Sequence, residues 1–378
     1  MRKGEGIQLV IEGFAEDADR NLLKMYLPET MTEPFDPNEI RITPQTLSID
    51  NVIARIRNDE IDLNTEFQRK ANLWKNDMQS RLIESLMLKL PLPAFYFDAS
   101  EDDRWLVVDG LQRLSALKNF IIDESLPLIG LDILKDYDNK GLRFRDLPRI
   151  MQRRIMEANV TCFLINPGTP KKVKYNVFKR INTGALSLND MEIRNALNQG
   201  QASVFLKEFT EDSKFRKLIP LPNERMEDRE LVLRCIAFIQ TNYSKYESPL
   251  GVFLDRAMEK LQTTPLEELN NITNSILRSI EIHTKLFGQD RFSRSVISKD
   301  IHRRLNSALF EVWVVILSGL TPLQIENIYK NQVALKNEYK QLFGDKSFND
   351  AVTTSTASRN AVINRFTKIE SLIKKYII

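Results

Sequence analysis

From Pro170 to the C-terminus of this 378-residue chain, apolar residues recur at helical spacing and no convincing strand pattern interrupts them. Runs such as "DRELVLRCIAFIQTNY", "PLGVFLDRAMEKL", "ITNSILRSIEIHTKLF" and "HRRLNSALFEVWVVILSGL" each put an apolar stripe along one side of a helix. Stripes repeated over that length must be buried against each other, which predicts an all-helical domain. The earlier part of the chain has a different pattern. There "PAFYFDAS" and "RWLVVDG", split by the acidic turn Glu101-Asp102-Asp103, predict a hairpin or neighbouring strands, and "VTCFLIN" predicts another strand.

The fold class that follows is α+β, with a mixed N-terminal domain and a helical C-terminal one. Residues 1–40 gather prolines and acids in "PETMTEPFDP" without a sustained period and predict a partly irregular leader. The mixed domain is assigned to 41–200 and the helical domain to 201–378. Within the mixed domain, Ser48 is placed to cap a helix carrying Ile49, Val52, Ile53 and Ile56. "IDLNTEFQR" reads as a strand running into a polar loop. Asn76 or Asp77 is placed to cap a helix that runs to Leu90 and stops at Pro91. Further helices are predicted from Leu111 to about Ile122, near Pro148–Glu157, over Val173–Ile181 and over Met191–Leu197.

A net charge of +3 is too close to balance for a polycation that coats nucleic acid indiscriminately. The asymmetry is local. Between residues 141 and 180, ten basic residues face only Asp146 and Glu157, and such a region attracts phosphate, whether of a nucleotide or of a nucleic acid. A solvated helix face explains the same charges. Cys162 and Cys235 form no CxxC pair and read as buried thiols. The N-terminus lacks the apolar core of a signal peptide and "VWVVILSGL" is too short to span a bilayer, so the predicted location is cytoplasmic.

Three stretches carry candidate chemistry. In "WLVVDGLQRLSALKNF" a strand runs through Asp109-Gly110 into a helix, so the free N–H groups of the first turn converge on one spot with the helix dipole behind them. Gly110 lets a ligand approach the backbone, and Arg113 offers a planar fork of donors to phosphate. Asp109 has three readings: it orients the arginine, holds Mg²⁺, or polarises a water. A purely structural reading also stands, in which Asp109 caps the helix and Arg113 pairs with it. In "FQRKANLW", Gln68 and Arg69 sit between two aromatics, as in a binding loop or a packing stack. In "FKRINTGALSLNDMEIRNAL", the Asn182-Thr183-Gly184 turn follows a basic helix, and Asn189 with Glu192 predicts a capping box.

Taken in order, these stretches resemble the DGQQR-motif domain family that forms the N-terminal half of GmrSD-type modification-dependent restriction systems. "RLIESLMLKLPLPAFYF" and "ERMEDRELVLRCIAFI" extend the likeness over roughly residues 45–240. The resemblance implies a ParB and sulfiredoxin-like core that binds nucleotide phosphates and supports weak Mg²⁺-dependent hydrolysis of nucleoside triphosphates, in a sensor or regulatory subunit of anti-phage defence. It places catalytic roles on Asp109, Gln112 and Arg113. Phosphate contacts fall on Gln68, Arg69, Gly110, Arg113, Arg180, Asn182, Thr183 and Gly184, and the metal on Asp109. The family's first glutamine is Leu111 here: if that side chain positions water or metal, turnover suffers, and if it faces the core, hydrolysis survives.

GmrSD-type proteins also carry a C-terminal HNH nuclease, but the only histidines here are His283 and His302, both read within helical patterns, so DNA cleavage by this chain alone is not expected. The partners expected are a nucleotide, DNA through the basic 141–180 segment, a separately encoded nuclease or effector, and a second copy of the chain in a homodimer. A non-enzymatic DNA-binding adaptor that recruits such an effector is the alternative function.

Overall fold

A computed structural model describes residues 11–12, 39–63, 74–101, 104–138, 140–181, 189–221 and 225–377. They fall into two compact units, one within 33–197 and one made of 198–377 with the short strand 11–12. In chain order the elements are β1 (Ile11–Glu12), β2 (Ile42–Ser48), α1 (Ile49–Arg57), β3 (Ile61–Asp62), α2 (Asn76–Met87), β4 (Phe95–Glu101), β5 (Arg104–Asp109) and α3 (Leu111–Leu117). After α3 the same helix widens into a π turn over Lys118–Ile122. Then come α4 (Arg149–Met156), β6 (Asn159–Ile165), α5 (Lys171–Ile181) and α6 (Asp190–Leu197).

Period-two alternation sets the faces of the sheet. Its strand order is β2-β6-β4-β5-β3, antiparallel for β2/β6 and β4/β5 and parallel for β6/β4 and β5/β3. Phe95, Phe97 and Ala99 of β4 share one face with Trp105 and Val107 of β5 and with Val160, Cys162 and Leu164 of β6. The apolar stripes of α1 and α2 and Leu111, Leu114 and Leu117 of α3 bury against that face. Each such side chain contributes on the order of 1.5–3 kcal/mol relative to exposure. Burial pushes the Cys162 thiol up to about 11, with Arg55 acting weakly the other way, so it is a packing group rather than a nucleophile.

On the opposite face, Asp98 of β4 is buried and would be costly there without a partner. Lys174 of α5 supplies one, with its Nζ 2.8 and 3.1 Å from the two carboxylate oxygens and a further hydrogen bond to Ser100 Oγ. The helix starts are local chemistry. Ser48 accepts from the Asn51 N–H at 3.2 Å and starts α1. Asn189 and Glu192 exchange reciprocal bonds of 2.8 and 2.7 Å and start α6 as a capping box.

Among its described residues the second unit is helical apart from the two-residue pairing of β1 with β7 (Leu305–Asn306). Its helices are α7 (Gln201–Glu211), α8 (Ser213–Leu218), α9 (Glu227–Gln240), α10 (Leu250–Leu261), α11 (Leu266–Phe287), α12 (Ser307–Ser318), α13 (Pro322–Lys330), α14 (Gln332–Leu342), α15 (Lys346–Thr353) and α16 (Arg359–Lys374). Glu311 of α12 is wholly buried and is held by Arg365 of α16, whose Nε donates to it at 2.9 Å. His283 of α11 is buried among aromatics, stacked on Phe292 at 3.9 Å and Phe287 at 4.4 Å between centroids. The mixed sheet of the N-terminal part and the helical C-terminal region are the architecture the hydrophobic periods predict.

Several boundaries differ from expectation. The strand β2 is additional, because "ITPQTLS" is mostly exposed and shows no clean alternation. The strand expected for "IDLNTEFQR" is confined to Ile61–Asp62 among the described residues. Lys75, not Asn76 or Asp77, occupies the position before α2, without a side-chain cap. That helix ends at Met87 and turns through Lys89 at φ +61°, because Pro91 disfavours helical geometry at Leu90. His302 lies in an irregular segment rather than a helix, near the turn where Ser298 Oγ takes the Asp300 N–H at 3.2 Å.

Candidate functional site

The chain leaves β5 at Asp109, turns through Gly110 at φ +103°, and enters α3 at Leu111. A Cβ on Gly110 would lie 2.4 Å from Phe95 Cδ1, so both backbone conformation and space require glycine. Leu114 N–H donates to Gly110 O at 2.9 Å, which leaves the N–H groups of Leu111 and Arg113 without intrahelical acceptors. The motif therefore presents a helix start at the end of a buried strand. Its rigidity comes from the packing of Phe95 beneath it.

Arg113 is buried, with 8% of its surface exposed. Its guanidinium donates to the Pro93 and Ala94 carbonyls, the latter at 3.1 Å, and to Asp109 Oδ2 at 2.8 Å. Its plane lies 4.5 Å from the Phe95 ring centroid. Burial pulls the guanidinium's pKa down while the Asp109 carboxylate opposes that shift. An arginine remains charged under such a perturbation. Its donors thus tie the turn before β4 to the turn after β5. A phosphate reaching Arg113 would displace one of these partners.

Asp109 is more open than its partner, with 37% of its side chain exposed. One oxygen takes the Arg113 bond and the other has no hydrogen-bond partner among the described residues. Gln112, half-buried, accepts the Trp74 backbone N–H at 3.2 Å through Oε1. Leu111 belongs to the hydrophobic core at 8% exposure. The position at which the resemblance expects a glutamine therefore faces the interior.

The structure brings together Asp109, Gly110, Gln112 and Arg113. Arg180 lies exposed in the last turn of α5, with no hydrogen bond or ion pair among the described residues. Gln68, Arg69, Asn182, Thr183 and Gly184 lie outside the described residues. Sequence reasoning missed the polar residues behind the motif. Gln79 of α2, 4% exposed, donates through Nε2 to Trp74 O at 2.8 Å and accepts from Asn119 Nδ2 at 2.9 Å. A glutamine beside the apolar stripe of α2 and an asparagine just before the apolar "FII" of the π turn were the available signals.

The basic segment divides. Lys174 is spent on Asp98, Lys179 lies 3.8 Å from Asp190, and Arg145 lies 3.2 Å from Glu124. Arg143, Arg149 and Arg153 are exposed and carry no ion pair among the described residues, beside the half-exposed Ile150.

A family model described as the GmrSD restriction endonuclease N-terminal domain matches residues 49–199, a range that contains β5, the Gly110 turn, α3 and α5. Residues 49–199 are a GmrSD N-terminal domain. No curated protein and no solved structure matches the chain. The GmrSD domain contains no cluster of three or more metal-ligating side chains among the described residues. Asp109, with one oxygen uncommitted, is the carboxylate of the motif open to a ligand. No described helix is long and apolar enough to cross a membrane.

Proposed function

We propose that the GmrSD domain of this chain binds a nucleoside triphosphate at the turn between β5 and α3 and hydrolyses it slowly with Mg²⁺, as a sensor or regulatory subunit of a modification-dependent restriction system. The observation that carries the reading is Asp109: a carboxylate at a helix start, oriented by a buried arginine, with one oxygen left for a ligand. Arg113 positions Asp109 and braces the turn. The N–H groups of the first turn of α3 and Gln112 face the phosphates, with Arg180 and, from the resemblance, Gln68, Arg69, Asn182, Thr183 and Gly184 as further contacts. Mg²⁺, when bound by Asp109 and phosphate oxygens, supplies charge neutralisation. Leu111 sits in the core, which supports turnover surviving the loss of the family's first glutamine.

The experiment is calorimetric titration of the purified chain with ATP, GTP, CTP and UTP in Mg²⁺, with phosphate release measured on the same samples. Asp109→Asn keeps an acceptor for Arg113 but removes the charge, so binding should lose its Mg²⁺ dependence. Absence of binding by every nucleotide would refute the reading.

A second reading rests on α4 and the turn before it, where Arg149 and Arg153 of the helix and Arg143 ahead of it are exposed and carry no ion pair among the described residues. In it the chain is a non-enzymatic DNA-binding adaptor that recruits a separately encoded nuclease or other effector, with or without homodimerisation. DNA held through several phosphates weakens by orders of magnitude between low and moderate salt. A compact nucleotide site responds far less.

A further inference from the structure

A second polar feature lies on the same helix as the motif. Between α2 and the segment after the π turn is a cavity of about 210 Å³, lined by Trp74, Asn76, Gln79, Asn119, Ser125 and Leu126. Its lining has three carboxamides, a hydroxyl and an indole, and no charged side chain. A hydrogen-bond relay joins it to the motif: Gln112 Oε1 accepts from Trp74 N–H, Trp74 O from Gln79, Gln79 from Asn119, and Asn119 O from Ser125 Oγ at 3.3 Å. The walls are held in place. Ser80 accepts the Ile129 N–H at 3.1 Å, and Glu84 accepts those of Asp132, Ile133 and Leu134 at 3.0, 2.7 and 2.7 Å.

Spacing relates the two features. Gln112 and Asn119 are seven residues apart on one continuous helical run, so they share a side of it, separated by about 10 Å at 1.5 Å per residue. The widened π turn begins at Lys118, and π turns interrupt helices frequently at functional sites. A ligand with its anionic end at the Gly110 turn and its other end at Asn119 has the outline of a nucleotide, phosphates to base.

We infer that this cavity is the base-binding subsite of the nucleotide site, in which Trp74 stacks on the base and Asn76, Asn119 and Ser125 read its edge. Aromatic stacking with carboxamide contacts is how proteins hold an unpaired base. The lack of lining charge suits a neutral heterocycle and not a second phosphate. The inference rests on the nucleotide reading above and goes beyond it by saying what discriminates one nucleotide from another. Asn76 is exposed and its side chain makes no hydrogen bond among the described residues, which leaves its amide for the ligand.

The test is titration of the full chain in Mg²⁺ with ATP, GTP, CTP, UTP and inorganic tripolyphosphate, repeated for Trp74→Ala and Asn76→Asp. Asn76 lies in the first turn of α2, where an acid is favoured, so that variant retains the fold. Expected are a ranking among the four nucleotides that Asn76→Asp changes, and a loss of roughly 5- to 150-fold in nucleotide affinity for Trp74→Ala, the range of one base–aromatic stack. Tripolyphosphate affinity should be unaltered in both. Nucleotide binding whose ranking both variants leave intact, or four nucleotides indistinguishable from tripolyphosphate, would overturn the base subsite while sparing the phosphate site. If none of the five probes binds, the nucleotide reading itself fails and the subsite with it.

Discussion

Replacing Arg113 by alanine separates a brace from a ligand contact. The wild-type guanidinium satisfies the Pro93 and Ala94 carbonyls, pairs with Asp109 and covers the Phe95 ring. A hydrogen bond from a charged donor contributes about 1.5–3 kcal/mol, and stacking on an aromatic ring about 0.5–1 kcal/mol. The Asp109 pair counts for less, because Asp109 is 37% exposed and screened by water. The loss should be about 3–5 kcal/mol, a large part of a typical domain's 5–15 kcal/mol. Urea unfolding followed by tryptophan fluorescence measures it. In a Trp313→Phe background, only Trp74 and Trp105 of the first unit report. At a slope of about 2 kcal/mol per molar urea, the midpoint should fall by about 1.5–2.5 M. An unchanged midpoint together with lost nucleotide binding would show that Arg113 serves the ligand and not the turn, and would refute the bracing role.

The other predictions concern single contacts. Gly110→Ala places a side chain at positive φ and into Phe95, and should cost about 2–4 kcal/mol; a loss under ~1 kcal/mol in the same unfolding assay would mean that the turn relaxes freely. Lys174→Met leaves Asp98 buried and unpaired and should destabilise by about 3–5 kcal/mol, with Lys174→Met/Asp98→Leu recovering most of it. If the double variant is no more stable than the single one, burial of the charge is not the cause. Burial, assisted by Arg291, holds the His283 pKa well below its ordinary 6.5, so the unfolded chain binds the extra proton as pH falls below 6.5. Stability of the helical unit should be full above that value and decline below it, by up to about 1.4 kcal/mol per pH unit. Thermal unfolding of His283→Phe between pH 5 and 7 should lose that component of the slope.

Hydrophobic period made the helices legible, because burial of a stripe dominates their energetics. Ile49, Val52, Ile53 and Ile56 name α1 outright, and Asn189 with Glu192 names the start of α6. Other features depend on contacts far apart in sequence. The strand β2 carries few apolar residues and is stabilised by its backbone pairing with β6, which no local pattern announces. Asp109 and Arg113 were visible as a pair at helical spacing, but the carbonyls of Pro93 and Ala94 that occupy the guanidinium come from some twenty residues earlier. The relay through Trp74, Gln79 and Asn119 joins three segments and was unreadable for the same reason. The basic run between 141 and 180 looked uniform until Lys174 proved to be paired with the buried Asp98.

The edge strand bears on where this domain can be cut. The family match begins at residue 49, one residue after β2 ends, yet β2 pairs along all seven of its residues with β6. A fragment started at the family boundary would strip that strand away and leave the edge of β6, with Val160, Cys162 and Leu164 on its core face, open to any extended chain. In the intact chain the outermost strand instead carries Pro44, which has no N–H to offer, and a largely exposed run on either side of it. The residues just ahead of the recognisable domain therefore serve as its guard against self-association, and a soluble fragment has to begin before Ile42.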